Sequence, residues 1–267
     1  MPHARLNDID LHWGERGTGD VLLFLHGFPF DRRLWDREIA TLPAGWRAIA
    51  PDLRGFGGSR DNGSAPLTMA RHARDMIALL DHLQIARALV CGLSMGGYVA
   101  FELLRAAPDR VRGLVLCDTR AEADGEAARV GRRETAERVR REGVEAVVDT
   151  LLPKLLAEST MQERPEVGER LAAIMASQSA DAVARASLGM AKRQDARTLL
   201  ADIAVPTLVV AGAQDALIPP DVQRALAAAI PGARLALLPD AGHVANLDNP
   251  AAFGAAVHGF LATVRTT

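Results

Sequence analysis

One hexapeptide, Gly92-Leu93-Ser94-Met95-Gly96-Gly97, combines residue types and a spacing that could do chemistry. Its Gly-x-Ser-x-Gly core follows a short apolar run, Ala88 to Cys91, and precedes a helical pattern from Tyr98 to Ala107. In that setting a sharp strand-to-helix turn pushes the serine into strained geometry with its hydroxyl exposed. Gly92 and Gly96 flank the turn because side chains there would collide where the two backbones approach. The helix that follows aims its free amides and positive dipole end at the hydroxyl, favouring negative charge as it develops. The rival reading is a glycine-rich turn whose serine only caps a helix. The partners available to Ser94 decide between the two.

A serine hydroxyl is a poor nucleophile until a base takes its proton and a third group orients that base. For a serine on this kind of turn the chain order is Ser, then Asp or Glu, then His. His243, in Asp240-Ala241-Gly242-His243, comes just after the apolar run Leu235 to Leu238, and Asp215, in Gly212-Ala213-Gln214-Asp215, just after the run Thr207 to Ala211. Both therefore stand at carboxyl ends of strands, the same edge as Ser94. Asp118 also follows a strand and is the alternative carboxylate. Asp215 is preferred because its Gly-x-x-Asp turn, followed by Pro219-Pro220, exposes a side chain toward the end of the sheet. Asp240 is too close to His243 along the backbone. The remaining histidines, His3, His12, His72, His82 and His258, read as structural or solvated.

Acyl transfer also needs donors for an oxyanion. One is the amide of the residue after the nucleophile, Met95; the other comes from the loop after the third strand, Leu25-His26-Gly27-Phe28-Pro29-Phe30. Phe28 is the expected donor there, because Gly27 permits close backbone approach and Pro29 restricts the conformation before it. His26, at the end of a buried strand, reads as a brace for the loop. Phe28, Phe30 and Trp35, with residues of a helical segment further on, are expected to line an apolar pocket suited to small or medium uncharged acyl groups. The segment Asp52-Leu53-Arg54-Gly55-Phe56-Gly57-Gly58-Ser59 lacks the Gly-Lys-Ser/Thr ending of a phosphate loop and reads as a tight turn with Asp52 and Arg54 free to pair locally. No metal-ligand spacing stands out, so the chemistry is expected to need no metal and no cofactor.

These residues must be held by a regular scaffold. Short apolar runs at Val21 to Leu25, Arg47 to Ala50, Ala88 to Cys91, Gly113 to Cys117, Thr207 to Ala211 and Leu235 to Leu238 suit strands buried on both faces. Ile9 to Trp13 suits an antiparallel edge strand. Helical patterns alternate with them: one capped by Thr68 with Ala73, Met76, Ile77, Leu80 and Leu83 in register, then Asp221 to Ile230 and Pro250 to Leu261. Such alternation makes a mostly parallel sheet with helices on both faces. Ligands bind at the carboxyl ends of its strands. Residues 120–199 break the rhythm with helical patterns only, Glu126 to Val148, Glu166 to Gln178 and Asp181 to Lys192, interrupted at Pro153 and Pro165. This segment is expected to form a helical cap inserted in a core made of residues 1–119 and 200–267. Its dense charges between Arg120 and Glu145 read as a solvated helix face.

The 267 residues exceed a minimal module and fall short of two full-sized domains at roughly 150 residues each. With 49% apolar and 24% charged residues the chain can build a sizeable core, which excludes disorder. Lys and Arg number 31 against 33 Asp and Glu, leaving no global field for nucleic acid or anionic lipid. Cys91 and Cys117 are too few for a disulfide scaffold. Met1 to Asp20 lacks the apolar core of a secretory signal, and no stretch reaches the length of a membrane span, so the expected location is the cytoplasm. The expected partner is a small-molecule ester or lactone, not nucleic acid or a membrane.

The chain resembles the α/β-hydrolase superfamily over nearly its whole length. His26-Gly27-Phe28-Pro29, Asp52 to Ser59, Gly92 to Gly97, Gly212 to Asp215 and Gly242-His243 occur in the family's order. The resemblance implies an α/β-hydrolase fold, with a mostly parallel eight-stranded sheet and a helical cap, and a triad of Ser94, Asp215 and His243. Within the superfamily, Val90 to Gly97 and Leu116-Cys117-Asp118-Thr119 look like the 3-oxoadipate enol-lactonase and small carboxylesterase group. Many enol-lactonases lack a His-Gly-aromatic-Pro loop, whereas esterases and cofactor-free perhydrolases often carry one, which argues against a lactone substrate. Ser94 in place of an aspartate separates the chain from epoxide hydrolases and haloalkane dehalogenases. The leading expectation is a serine hydrolase of small to medium carboxylic esters. The alternatives are a lactonase, which needs a cation in the pocket for its substrate's carboxylate, a carbon–carbon bond hydrolase, and a ligand sensor with a retained triad.

Overall fold

The computed structural model describes residues 1–264. Strands β1 (His3–Leu6) and β2 (Ile9–Gly17) form a hairpin closed by Asn7 and Asp8, whose φ values of 45° and 73° match the two-residue turn that right-twisted strands require. The strands β3 (Asp20–Leu25), β4 (Trp46–Pro51), β5 (Ala88–Leu93), β6 (Val111–Cys117), β7 (Thr207–Gly212) and β8 (Arg234–Leu238) follow. All eight make one sheet in the order β1-β2-β4-β3-β5-β6-β7-β8, antiparallel at β1, β2 and β4 and parallel from β4 to β8. Every residue of β5 and β7 is buried, as strands covered on both faces must be. Ile9 to Trp13 is not the edge. β1 lies outside it, and its alternation of exposed and half-buried residues contains no apolar run that would announce a strand.

Helix α1 (Asp36–Thr41) follows β3, and α2 (Met69–His82) starts where the Thr68 hydroxyl accepts the Arg71 amide. Helix α3 (Met95–Ala106) leaves β5 directly and packs on α2 and on β3, β5 and β6. From Asp118 to Pro206 the chain forms helices and loops but no strand. The helices are α4 (Glu126–Glu142), α5 (Glu145–Leu155), α6 (Glu158–Glu163), α7 (Pro165–Ala176), α8 (Ala180–Ala191) and α9 (Arg197–Leu200). The single pattern read over Glu126 to Val148 divides at Gly143, whose φ of 89° ends α4. Pro153 lies within α5, while Pro165 opens α7 at a position whose N–H has no intrahelical acceptor to lose. Helices α10 (Pro220–Ala229), α11 (Ala245–Asp248) and α12 (Pro250–Val264) complete the chain, α10 and α12 packing on β7 and β8.

Buried polar ties fasten the insertion to the loops after β3 and β4. The Arg185 guanidinium donates to the Asp61 carboxylate at 2.6 Å and to the carbonyls of Asp61 and Ala65 at 3.0 and 2.8 Å. Gln178 accepts the Gly57 amide at 2.9 Å and donates to Asp31 at 2.8 Å. A guanidinium withdrawn from water is tolerated only when a carboxylate and carbonyls replace its hydration, so these pairs fix where the insertion sits.

Candidate active site

Ser94 joins β5 to α3 with φ 52° and ψ −111°, a positive φ that costs a non-glycine residue free energy and turns its side chain out of the backbone path. Neighbours hold that conformation. The Ser94 amide donates to the Cys117 carbonyl at 2.9 Å, and the Thr119 hydroxyl donates to the Ser94 carbonyl at 2.8 Å. A Cβ on Gly92 would strike the backbone of Gly96, and one on Gly96 would strike the Leu25 carbonyl, so both glycines are imposed by close approach.

His243 and Asp215 are both buried, and the imidazole Nδ1 donates to Asp215 Oδ2 at 2.8 Å. The other oxygen, Oδ1, accepts the amides of Leu217 at 2.8 Å and Ile218 at 3.0 Å. Three donors thus fix the carboxylate, and a neutral imidazole that donates through Nδ1 carries its lone pair on Nε2. The loop carrying His243 is pinned by Asp248, which the sequence did not single out. Its carboxylate accepts the Gly242 amide at 2.6 Å and the Ala157 amide at 3.1 Å, while the Val244 amide donates to the Leu155 carbonyl at 2.9 Å. The end of α5 and the histidine loop are therefore tied to each other.

Asp118, the alternative carboxylate, makes no such contact with the imidazole. Its Oδ1 accepts the Gly212 amide at 2.8 Å and its Oδ2 is buried without a partner. Burial, and then the charge of Asp215, push its carboxyl well above the usual carboxylate range. Burial therefore drives the Asp118 carboxyl toward its protonated form.

His26 is fully buried, and burial pushes its imidazole down into the neutral form. Nε2 accepts the Leu53 amide at 3.0 Å and Nδ1 donates to the Gly27 carbonyl at 2.9 Å, which ties the loop after β3 to the loop after β4. Asp52 accepts the amides of Arg32 and Gly58, both at 2.9 Å, and Arg54 pairs with Asp75 through two contacts of 2.7 Å. These residues are structural joints of the loops around the site.

Ser94 and His243 line one cavity of about 160 Å³. Phe28 borders it, and Met95 is the first residue of α3, where backbone amides lack intrahelical acceptors. Phe30 and Trp35 do not line it. Both are fully buried, and the Trp35 ring packs 5.1 Å from Phe24 and 6.2 Å from Phe253 by ring centroid, so they fill the core beneath the loop. The rest of the wall comes from Tyr98 on α3, Leu151 and Leu155 on α5, Met190 on α8 and Leu217 and Ile218 beyond β7, together with Arg120 and Arg132. A second chamber of about 80 Å³ shares Phe28, Leu151 and Arg132 with the first.

A sequence model of the alpha/beta hydrolase fold matches residues 20–250. The chain belongs to the α/β-hydrolase family. Over 94% of this chain and 92% of its relative, this α/β-hydrolase is 32% identical to 3-oxoadipate enol-lactonase 2 of Acinetobacter baylyi. Its fold superimposes on a thermophilic esterase from Thermogutta terrifontis, solved with malate bound, with a TM-score of 0.95 at 40% identity, covering 98% of each chain. It superimposes on the enol-lactonase from Burkholderia xenovorans LB400 with a TM-score of 0.90 at 31% identity, covering 98% of this chain and 100% of the other.

What the sequence missed in this α/β-hydrolase is mainly charge. Arg120 and Arg132 belong to the stretch read as a solvated helix face, yet both border the cavity. For Arg120 a signal existed: it lies just past the carboxyl end of β6, the edge where ligands bind. For Arg132, within α4, periodicity offers no distinction from its charged neighbours.

Proposed function

We propose that this chain hydrolyses small to medium carboxylic esters through an acyl-enzyme on Ser94. The observation that carries this reading is one cavity bordered both by a serine held at positive φ and by an imidazole whose Nδ1 is committed to a buried carboxylate. In that arrangement His243 Nε2 takes the Ser94 hydroxyl proton as the serine oxygen bonds to the acyl carbon. The amides of Met95 and Phe28 receive the oxyanion, and Asp215 stabilises the imidazolium. His243 then returns the proton to the leaving alcohol. A water molecule, deprotonated by the same imidazole, releases the acid. The helical insertion acts as a cap, since α5 and α8 supply wall residues opposite the sheet edge. The family, with esterase and enol-lactonase among its similar members, supports hydrolysis of an ester bond in either open or cyclic form.

The test is labelling with a fluorophosphonate and turnover of p-nitrophenyl butyrate by wild type and Ser94→Ala. The expected result is one label per chain, on Ser94, and a rate loss of roughly 10⁵–10⁶-fold in the variant. An unlabelled Ser94, or an unchanged rate in the alanine variant, would overturn the mechanism. Slow single-turnover labelling without turnover would favour a sensor.

A further inference from the structure

We infer that Arg120, assisted by Arg132, selects esters that carry a free carboxylate, the half-esters of short dicarboxylic acids and their lactone counterparts. This inference rests on the ester-hydrolase reading of the same cavity. It departs from the uncharged acyl group expected of a pocket lined by Phe28, Phe30 and Trp35.

The wall contains two guanidiniums and, among the described residues, no carboxylate. Arg120 is half-buried and spends one nitrogen on the Leu217 carbonyl at 2.8 Å. Its Nε is buried without a hydrogen-bond partner, and no carboxylate among the described residues lies within salt-bridge distance. Glu102, which borders a small hollow beside Arg120, is paired with Arg105 at 3.6 Å. Arg132 is little better neutralised. Its partner Asp124, at 3.3 Å, is engaged more closely by Arg193 at 2.6 Å, and Arg193 itself lies 4.2 Å from the Tyr98 ring that forms part of the wall. Arg132 and Arg193 therefore share one carboxylate, and Arg120 has none within salt-bridge distance among the described residues.

Keeping an uncompensated guanidinium out of water costs free energy unless a ligand completes it. The planar fork of an arginine matches a carboxylate through paired N–H donors, and the apolar remainder of the wall, Leu151, Leu155 and Met190, suits the methylenes between that carboxylate and the ester. Carboxylate binding at Arg120 would also orient the substrate, because Arg120 holds the loop on which Leu217 N–H binds Asp215. A role confined to that tie would affect all substrates alike, which separates the two roles.

The experiment compares kcat/KM for ethyl hydrogen succinate with that for ethyl succinamate, its neutral isostere, in wild type, Arg120→Met, Arg120→Lys and Arg132→Met. Wild type is expected to prefer the anionic ester by roughly tenfold or more, mostly through KM. Arg120→Met should erase that preference, Arg120→Lys should restore part of it, and Arg132→Met should weaken it. Succinate should inhibit wild-type turnover of p-nitrophenyl butyrate and succinamide should not, a comparison that requires no variant. Equal wild-type rates on the two esters, or equal losses on both in Arg120→Met, overturn the inference while leaving ester hydrolysis intact. Failure to turn over any ester, p-nitrophenyl butyrate included, overturns the ester-hydrolase reading itself.

Discussion

The carboxyl edge of the sheet and the helical insertion contribute to the same cavity on different physical terms. At the edge, Ser94, Asp215 and His243 each emerge from the end of a strand or the loop just beyond it, and backbone amides hold their geometry: Leu217 and Ile218 on Asp215, Gly242 on the Asp248 that pins the histidine loop. The insertion contributes wall residues, Leu151, Leu155 and Met190, from helices that it orients through a few side-chain ties such as Arg185 to Asp61. A backbone-held residue is specified by the fold, whereas a residue placed by helix docking follows from packing between neighbours. Changes at the edge should therefore abolish turnover, and changes in the insertion should redirect it.

The sharpest way to break that contrast is Asp215→Asn. An amide in place of the carboxylate can donate to His243, favours the wrong tautomer and leaves the imidazolium unstabilised. The rate on p-nitrophenyl butyrate should fall by about 10³–10⁴-fold with little change in KM. A loss below tenfold would mean that the buried pair is structural and that the edge is less committed to chemistry than its geometry suggests.

On the insertion side, Leu151→Ala removes apolar wall shared by both chambers. Discrimination between acyl chains differing by a methylene or two is worth roughly tenfold in such pockets. The kcat/KM ratio for p-nitrophenyl hexanoate over acetate should therefore rise about tenfold in the variant. If both esters instead lost rate equally, the insertion would be acting on the catalytic geometry through the link between α5 and the histidine loop.

The same contrast explains what could be read from the chain alone. Strands β3 to β7 are legible because burial on both faces demands continuous apolar runs; β8, at the sheet's edge and only partly buried, still carries the run Leu235 to Leu238, and Ser94, Asp215 and His243 are legible because each follows such a run. β1 is hidden, since His3–Leu6 is partly solvated and gains its pairing from the Asn7-Asp8 turn. Phe30 and Trp35 looked like pocket residues for their size and position after β3. Sequence cannot say on which side of a loop a ring will fall, and here the rings of Phe24 and Phe253 draw Trp35 into the core. Arg120 and Arg132 were submerged in a run of balanced charge, because helical periodicity places a guanidinium on a face without specifying what that face meets.

Position at the edge is not sufficient for a chemical role, and Asp118 shows why. It follows β6 much as Asp215 follows β7, yet burial pushes its carboxyl up and one amide holds it. Asn reproduces the acceptor that Gly212 needs, so Asp118→Asn should leave the rate on p-nitrophenyl butyrate within about threefold of wild type, far from the effect at Asp215. Its signature should be in stability. A carboxyl whose pKa is raised by folding contributes stability below its unfolded value near 4, and that contribution is lost as pH rises, because the unfolded chain releases a proton that the folded chain must keep. Asn has no proton to keep. The melting temperature of Asp118→Asn should match wild type near pH 4 and exceed it increasingly toward pH 7. A gap that stays constant over this range would mean that folding does not raise the Asp118 carboxyl, and that position at the edge had been misjudged there.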